Sequence, residues 1–151
     1  MPAGEDKAGN SAPPGLARRL AAIAYDCFLL VAVLILATAL LMPFTGGQAI
    51  EPHNALYTAY LLAVSFGYFG WFWTHGGQTL GMRTWHMRLE SVGRRAPSWS
   101  QALGRFAGAC LSWLAFGAGF LWLLVDRDRL TWHDRLSGTR LVDTSPPPKS
   151  S

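Results

Sequence analysis

The chain has 151 residues, of which 50% are hydrophobic and 13% aromatic, and its formal net charge is +4. This length fits one domain, and the few charges stand in blocks beside long apolar runs, which is typical of a membrane protein rather than of a soluble core. The sequence contains no continuous basic helix and no RNA-binding aromatic motif, so we expect the lipid bilayer as a partner and no nucleic acid.

The first segment of membrane length covers residues 20–42. Residues 1–15 before it are polar and rich in small side chains, which predicts a disordered lead. The segment itself, LAAIAYDCFLLVAVLILATALLM, carries one charge, Asp26, and exceeds the roughly 20 residues that a helix needs to cross a bilayer. Its apolar part is too long for a signal peptide and acids precede it, so we expect an uncleaved helix.

The second segment covers residues 56–74 and carries no charge. Aromatic residues cluster at both of its ends, as suits the two membrane interfaces. The polar stretch 75–104 follows. Within it TWHMRLESV alternates in part and GRRAP is typical of a turn, so we expect a small hairpin at the membrane surface. Arg83 and Arg88 are expected to hold lipid phosphates as an anchor, and the alternative is that they contact a ligand.

The third segment, residues 106–125, is just long enough to cross, but the run Gly117-Ala-Gly119 interrupts it. Glycines in membrane helices mark kinks and broken helices, so we expect this segment to be kinked or re-entrant. The stretch DRDRLTWHDRLSGTRLV comes next, and residues 144–151 form a disordered tail.

Within that stretch, Thr131 precedes Asp134 by the spacing of a capping box, and Gly138 stands where a helix would stop. We therefore predict a short surface helix over WHDRLS. The following TRLV is predicted as a strand that pairs with MRLE. Asp126 and Asp128 are expected to pair with nearby arginines at the membrane interface.

Lysine and arginine residues are distributed unevenly between the polar segments. Three precede residue 20, five lie in residues 76–105, and none lies in the loop 43–55. Because basic residues favour the cytoplasmic side, we expect the N-terminus and residues 76–105 in the cytoplasm. The tail carries five more basic residues, and two alternatives stay open. Either the third segment crosses once and the acids of the short tail weaken the rule, or it bends back and keeps the tail cytoplasmic, which we favour.

Asp26 is the acid of greatest interest, because a carboxylate within a membrane costs a few kcal/mol or more and needs a partner. Arg19 lies two helical turns earlier and leans away from it, so we expect Arg19 to reach the lipid headgroups instead. The expected partners at the ends of the other two segments are Arg105, Arg83, His75 and Gln78. Asp26 is then either a structural acid that a neighbour satisfies or a proton or cation site.

Motifs for catalysis and metal binding do not occur. The four histidines lack metal-ligand spacing, and Cys27 and Cys110 lie singly inside apolar segments, where packing is their expected role. No nucleophile motif accompanies the neighbouring His133 and Asp134. We therefore expect neither an enzyme nor a metal or other cofactor.

Three stretches taken together resemble the RDD family of small bacterial membrane proteins. They are RRLAAIAYD, GGQTLGMRTWHMRL and DRDRLTWHDRLSGTRLV, and the resemblance covers residues 16–143. The family is named for one Arg and two Asp. Its Arg at the start of the first helix and its first Asp within that helix match Arg19 and Asp26. Its second Asp matches Asp134, with Asp126 as a rival.

This resemblance implies a multi-pass protein of the bacterial inner membrane whose molecular role is largely unassigned. Transport of unknown ligands is suggested for the family, and cation–proton antiport for some members. The family's turn after GQTLG carries lysines, whereas this chain has Met82-Arg83 and so keeps the charge at one position.

We therefore predict an all-α polytopic membrane protein with three hydrophobic helical segments and a short surface helix and small hairpin on the cytoplasmic side. Three short segments around one acid make an incomplete transporter, so a homo-oligomer or a partner membrane protein is expected. Asp26 is the predicted ligand or ion site, shaped by Arg19, Arg105 and Asp134. The alternative is a non-catalytic membrane scaffold or accessory subunit, in which these charges fix topology and bind partners.

Overall fold

A computed structural model of the chain describes residues 13–146, except 49, 52, 92, 94, 116, 118–121, 123–124 and 126–129. The described elements, in chain order, are α1 (Leu16–Leu41), a 3-10 turn (Met42–Phe44), α2 (Ala55–Thr74), α3 (Leu80–Thr84), β1 (Met87–Ser91), α4 (Trp99–Leu114), α5 (Trp132–Ser137) and β2 (Thr139–Asp143). The structure is mostly helical, as predicted. It also contains a two-stranded sheet, so the term all-α is too narrow.

Two helices are long and apolar enough to cross a membrane, Leu16–Phe44 and Ala55–Thr74. The 26 residues of α1 extend about 39 Å, more than the roughly 30 Å of hydrocarbon in a bilayer, so one end of α1 reaches the headgroup region. Tyr60 on α2 donates its hydroxyl to the carbonyl of Ala37 on α1 at 3.1 Å. The first two predicted segments are therefore two paired helices.

The third predicted segment differs from its expected boundaries. Helix α4 begins at Trp99 after a capping box between Ser98 and Gln101, and it ends at Leu114. Gly117, with φ 79°, donates its amide to the carbonyl of Ser112 and so closes the helix end. The predicted kink or re-entrant bend falls largely on residues that lie outside the described part of the chain.

The predicted capped helix and the predicted strand pairing in residues 131–143 are confirmed. Thr131 and Asp134 form both hydrogen bonds of the capping box, and Gly138 ends α5 with φ 62°. Strand β2 pairs antiparallel with β1, from Met87 opposite Asp143 to Ser91 opposite Thr139. The local hairpin expected within residues 75–104 is wrong, because β1 finds its partner in the tail instead.

A small apolar core lies where the sheet meets the helices. Met87, Leu89 and Leu141 from the two strands are almost completely buried there, together with Ala22 of α1 and Ala102 of α4. The two strands share the same burial pattern, in which alternate side chains face this core. The sheet therefore forms a base that supports one end of the helices.

The tail lies at the same end of the molecule as the start of α1. Arg18 pairs with Asp143, and Arg105 at the start of the third predicted segment pairs with Asp134 beyond its end. These two ion pairs join the residues before and after the third predicted segment to the end of the molecule where α1 begins.

Candidate functional site

Asp134 is the centre of a buried charge cluster that we define as Arg19, Arg105 and Asp134. Its Oδ2 accepts hydrogen bonds from Arg19 Nη1 at 3.2 Å and from the Thr131 amide at 3.0 Å, and its Oδ1 accepts from Arg105 Nη1. Burial by itself raises the pKa of this carboxyl, but the charge of Arg105, the neighbouring His133 and the Thr131 amide together hold the pKa well below its usual range. Asp134 is therefore ionised at neutral pH.

Arg19 reaches this cluster from the first turn of α1. It is 3% exposed, and its Nε donates to the carbonyl of Pro14 at 3.1 Å. The expectation that Arg19 extends to the headgroups is wrong. Helix α5 brings the carboxylate of Asp134 to it, and a buried guanidinium with a charged acceptor needs no contact with water.

Arg105 reaches the cluster from α4. Its Nη1 donates to Asp134 and, at 3.1 Å, to Thr139 Oγ1, and the guanidinium lies 5.4 Å from the centroid of the Trp73 ring. The expectation that Arg105 pairs with Asp26 is therefore wrong. Asp134 takes that place because α5 packs along α4, where Gly108 permits a close approach: a Cβ at Gly108 would lie 3.0 Å from His133 Cβ.

Asp26 lies on α1 and is held by the N-cap and the first turn of α3. Its Oδ2 accepts from the Thr79 hydroxyl and its Oδ1 accepts from the Gly81 amide at 2.8 Å. The same Thr79 hydroxyl accepts from the Met82 amide and caps α3. A Cβ at Gly81 would overlap the carbonyl oxygen of Ala22 and lie 2.9 Å from Asp26 Cγ, so only glycine allows the first turn of α3 to rest on α1.

The partners expected for Asp26 lie elsewhere. Gln78 donates to the carbonyl of Met87 at 2.8 Å, the ring of His75 stacks on Trp71, and Arg83 is exposed. Thr79, which does bond to Asp26, is not among the partners that the sequence predicted for this acid. The feature of the sequence that could have indicated this bond is the hydroxyl of Thr79. A hydroxyl that caps a helix through its oxygen can still donate its hydrogen to an acid.

A cavity of about 370 Å³ lies between α1, α2 and α4 above the base. Three charged side chains line it, namely Arg19, Asp26 and Arg105, and most of the remaining wall is apolar, including Leu30, Leu62, Phe106, Ala109 and Trp113. The structure thus brings three of the four predicted site residues to one cavity. Asp134 lies behind the wall and holds the two arginines in place.

His133 also lines this cavity. Burial lowers the pKa of its imidazole to about 3, and the positive charge of Arg105 acts in the same direction, while Asp134 opposes both. The ring is therefore neutral at physiological pH. Its adjacency to Asp134 in the sequence does not make a catalytic pair, since Asp134 is occupied by the two arginines.

A second ion pair fastens the tail to the outside of the base. Arg18 on α1 bonds to Asp143 at the end of β2 and to the carbonyl of Trp85. The hydrogen bond from Arg18 is the main cause that lowers the pKa of Asp143 below its usual range. The predicted interfacial acids Asp126 and Asp128 fall outside the residues that the structure describes.

Two apolar helices of membrane length, together with a buried Arg–Asp–Arg cluster that joins the start of the first helix to α4 and α5, define a class of small integral membrane proteins. The chain belongs to the RDD family, which it matches over residues 13–138, that is, from just before α1 to the end of α5. The predicted resemblance is thereby confirmed. No curated protein and no solved structure matches the chain.

Proposed function

We propose that this chain is a multi-pass protein of the bacterial inner membrane that binds a small ligand in the cavity between α1, α2 and α4 and moves it across the membrane as a homo-oligomer. The observation that carries the proposal is the cavity itself, which combines a mostly apolar wall with the charges of Arg19, Asp26 and Arg105. Ligand sites have this composition, since apolar area supplies binding energy and a few fixed polar groups orient the ligand.

The proposed topology places the base, with the N-terminus and the tail, in the cytoplasm. Described basic residues cluster at this end, namely Arg18 and Arg19 at the start of α1, Arg88 on β1, Arg105 on α4 and Arg140 on β2. The third segment is proposed to be re-entrant. The pairing of Arg105 with Asp134 supports this, since the chain leaves and returns at one end of the molecule.

The proposed oligomer follows from the small number of crossing helices. Two helices cannot surround a pathway, and large apolar side chains such as Phe28, Ile35 and Leu40 are exposed along α1. A second copy would supply the missing wall. Within such an assembly Asp26 is the proposed proton-exchanging group, because it is the acid on the cavity wall.

The transport proposal is tested with the purified chain in proteoliposomes that contain the pH dye pyranine. Na⁺, K⁺ and a mixture of amino acids are added outside in turn, with and without a pH gradient. The wild type is expected to move protons with at least one of these probes. Ala109→Leu, which fills the cavity, should abolish the response, and Ala107→Leu on the exposed side of the same helix should preserve it. If the folded wild type gives no pyranine response with any of these probes, the transport proposal is contradicted.

A membrane scaffold or accessory subunit is the second candidate. One observation favours it: both acids of the site are bonded within the chain, Asp134 to arginines and Asp26 to Thr79 and Gly81. In that role Asp134 holds the tail against α1, and Asp26 holds the start of α3 against α1. Stoichiometric co-purification of one membrane partner, combined with silent proteoliposomes, would support this candidate over transport.

A further inference from the structure

Arg105 has hydrogen-bonding capacity that the described residues of its own chain do not use. It is 3% exposed and lines the cavity, and within the described part of the chain both of its hydrogen bonds leave from Nη1. A guanidinium has five N–H donors, and those of Nε and Nη2 form a planar fork that matches a carboxylate. Asp134 and Trp73 hold the side chain in place. Arg105 is therefore a preorganised donor for an anionic group.

Asp26 offers the complementary capacity on the same cavity wall. It is 4% exposed, and its two bonds come from neutral donors, the Thr79 hydroxyl and the Gly81 amide. The salt bridges among the described residues do not include Asp26. A carboxylate has about four acceptor sites, so two bonds leave room for a cationic donor. A buried acid is stabilised most by such a charged partner.

The size and the remaining wall of the cavity limit the body of the ligand. About 370 Å³ lies at the small end of ligand pockets, which span roughly 300–1,000 Å³, and is far too little for a phospholipid with two chains. Leu30, Leu62 and Phe106 make most of the nearby wall apolar. The body that fits is small and apolar.

We propose that the cavity binds a zwitterion with an apolar body, an apolar α-amino acid or a short apolar peptide, whose carboxylate lies on Arg105 and whose ammonium group lies on Asp26. This proposal rests on the proposed function in that it treats the cavity as a ligand site. It adds the class of ligand. A ligand with one charge would leave either the fork of Arg105 or the free acceptors of Asp26 without a partner.

Binding is measured by titration calorimetry on the full chain in phosphatidylcholine nanodiscs. Leucine and leucyl-leucine are compared with their amides, which lack the carboxylate, and with their desamino analogues, which lack the ammonium group. At least one zwitterion is expected to bind about tenfold or more tightly than either of its analogues, because each analogue forfeits a charged hydrogen bond. Which of the two binds better reports the spacing between the two charged groups.

Two variants test the assignment of each end. Arg105→Lys keeps a charge opposite Asp134 but loses the planar fork, so the preference over the amide should fall to about twofold while the preference over the desamino analogue persists. Asp26→Asn should do the reverse. Damage to the fold would weaken all ligands alike, so this crossed pattern separates binding from structure. Ala109→Leu should abolish binding, and Ala107→Leu should leave it unchanged.

The proposal is overturned if the wild type binds the analogues as tightly as the zwitterions, or binds no zwitterion at millimolar concentration. These outcomes are distinct from a failure of transport. If the protein binds a zwitterion but moves no protons in proteoliposomes, the ligand class is supported and the transport proposal is contradicted. If the protein moves protons with Na⁺ or K⁺ but binds no zwitterion, transport is supported and this ligand class is contradicted.

Discussion

Arg105 and Asp134 form a buried salt bridge although 29 positions and the whole third apolar segment separate them in the chain. Asp134 joins Arg105 to Arg19 of α1, so one carboxylate holds together the first helix, the fourth helix and the tail. The neighbouring bond from Thr79 to Asp26 fastens the turn before α3 to α1 as well. The cavity wall thus depends on two acids whose bonds cross the molecule.

Asp134→Asn is expected to destabilise the fold by about 3–5 kcal/mol, because it removes the negative charge between two buried guanidiniums. The free energy of unfolding is measured by titration with sodium dodecyl sulfate in mixed micelles. Asp143→Asn is the matched control, since it breaks the partly exposed pair with Arg18 and should cost at most about 1 kcal/mol. Equal losses in the two variants would show that Asp134 does not organise the cluster.

Gly81→Ala is expected to destabilise the protein by about 1–3 kcal/mol or more, because the new methyl group would overlap the Ala22 carbonyl and push the turn away from Asp26. The same unfolding titration measures this change. Gly76→Ala, in the segment between α2 and α3, is the control, since a Cβ there meets no atom within 4 Å. If Gly81→Ala leaves the free energy of unfolding unchanged, the first turn of α3 does not rest on α1.

Thr79→Val is expected to cost about 1.5–3 kcal/mol, since it removes the hydroxyl that donates to the carboxylate of Asp26 and that caps α3. Thr79→Ser retains the hydroxyl and should lie close to the wild type. In Asp26→Ala, which has no carboxylate to bond, the further change Thr79→Val should cost much less. If its cost is the same in both backgrounds, the two residues are not coupled.

Acidification from pH 6 to pH 4.5 is expected to lower the stability by up to about 1.4 kcal/mol per pH unit through His133. The folded pKa of about 3 lies below the ordinary 6.5, so the unfolded chain binds the proton first and stability is lost as the pH falls through this window. Asp134 also lowers the stability on acidification, but only at a lower pH, near and below the usual pKa of an aspartate. The reason is that the pKa of Asp134 is depressed in the folded protein.

The comparison for this pH effect is His133→Gln, which should flatten the dependence between pH 6 and pH 4.5. Unfolding free energies of the wild type and the variant are measured at matched pH values. Parallel curves for the two proteins would assign the acid sensitivity to other groups.

Cysteine labelling is expected to place Ser145 and Gln48 on opposite sides of the membrane. Both positions are exposed, one beyond β2 and the other in the loop between α1 and α2. In a background without Cys27 and Cys110, an impermeant maleimide should label Gln48→Cys in intact cells. It should label Ser145→Cys only after permeabilisation. Labelling of both in intact cells would contradict a cytoplasmic tail.

Local features of this chain were predictable from its sequence. The capping box of Thr131 and Asp134 and the stop at Gly138 join residues a few positions apart, so their spacing suffices. The start of α4 was also readable from the spacing of Ser98 and Gln101, but the hydropathy of the segment shifted the expected start to residue 106. Periodic and apolar runs predict the type of a secondary-structure element more reliably than they predict its first residue.

The pairing of the charges was not predictable. Asp26 and Thr79 are 53 positions apart, and Arg19 and Asp134 are 115 positions apart. Sequence spacing along α1 correctly separated Arg19 from Asp26 but carried no information on which distant group reaches each of them. That choice depends on how closely α5 packs on α4 and the turn packs on α1, which glycines at positions 108 and 81 determine.

The late position of Asp134 in the chain imposes an order on biosynthesis. Arg19 emerges from the ribosome 115 residues before its carboxylate partner, an interval of roughly 6–23 seconds at about 5–20 residues per second. During that interval α1 is already apolar and long enough to insert, while its arginine lacks Asp134. The cluster therefore closes only after α5 has been synthesised, and a nascent chain truncated before α5 would leave both arginines without their carboxylate partner.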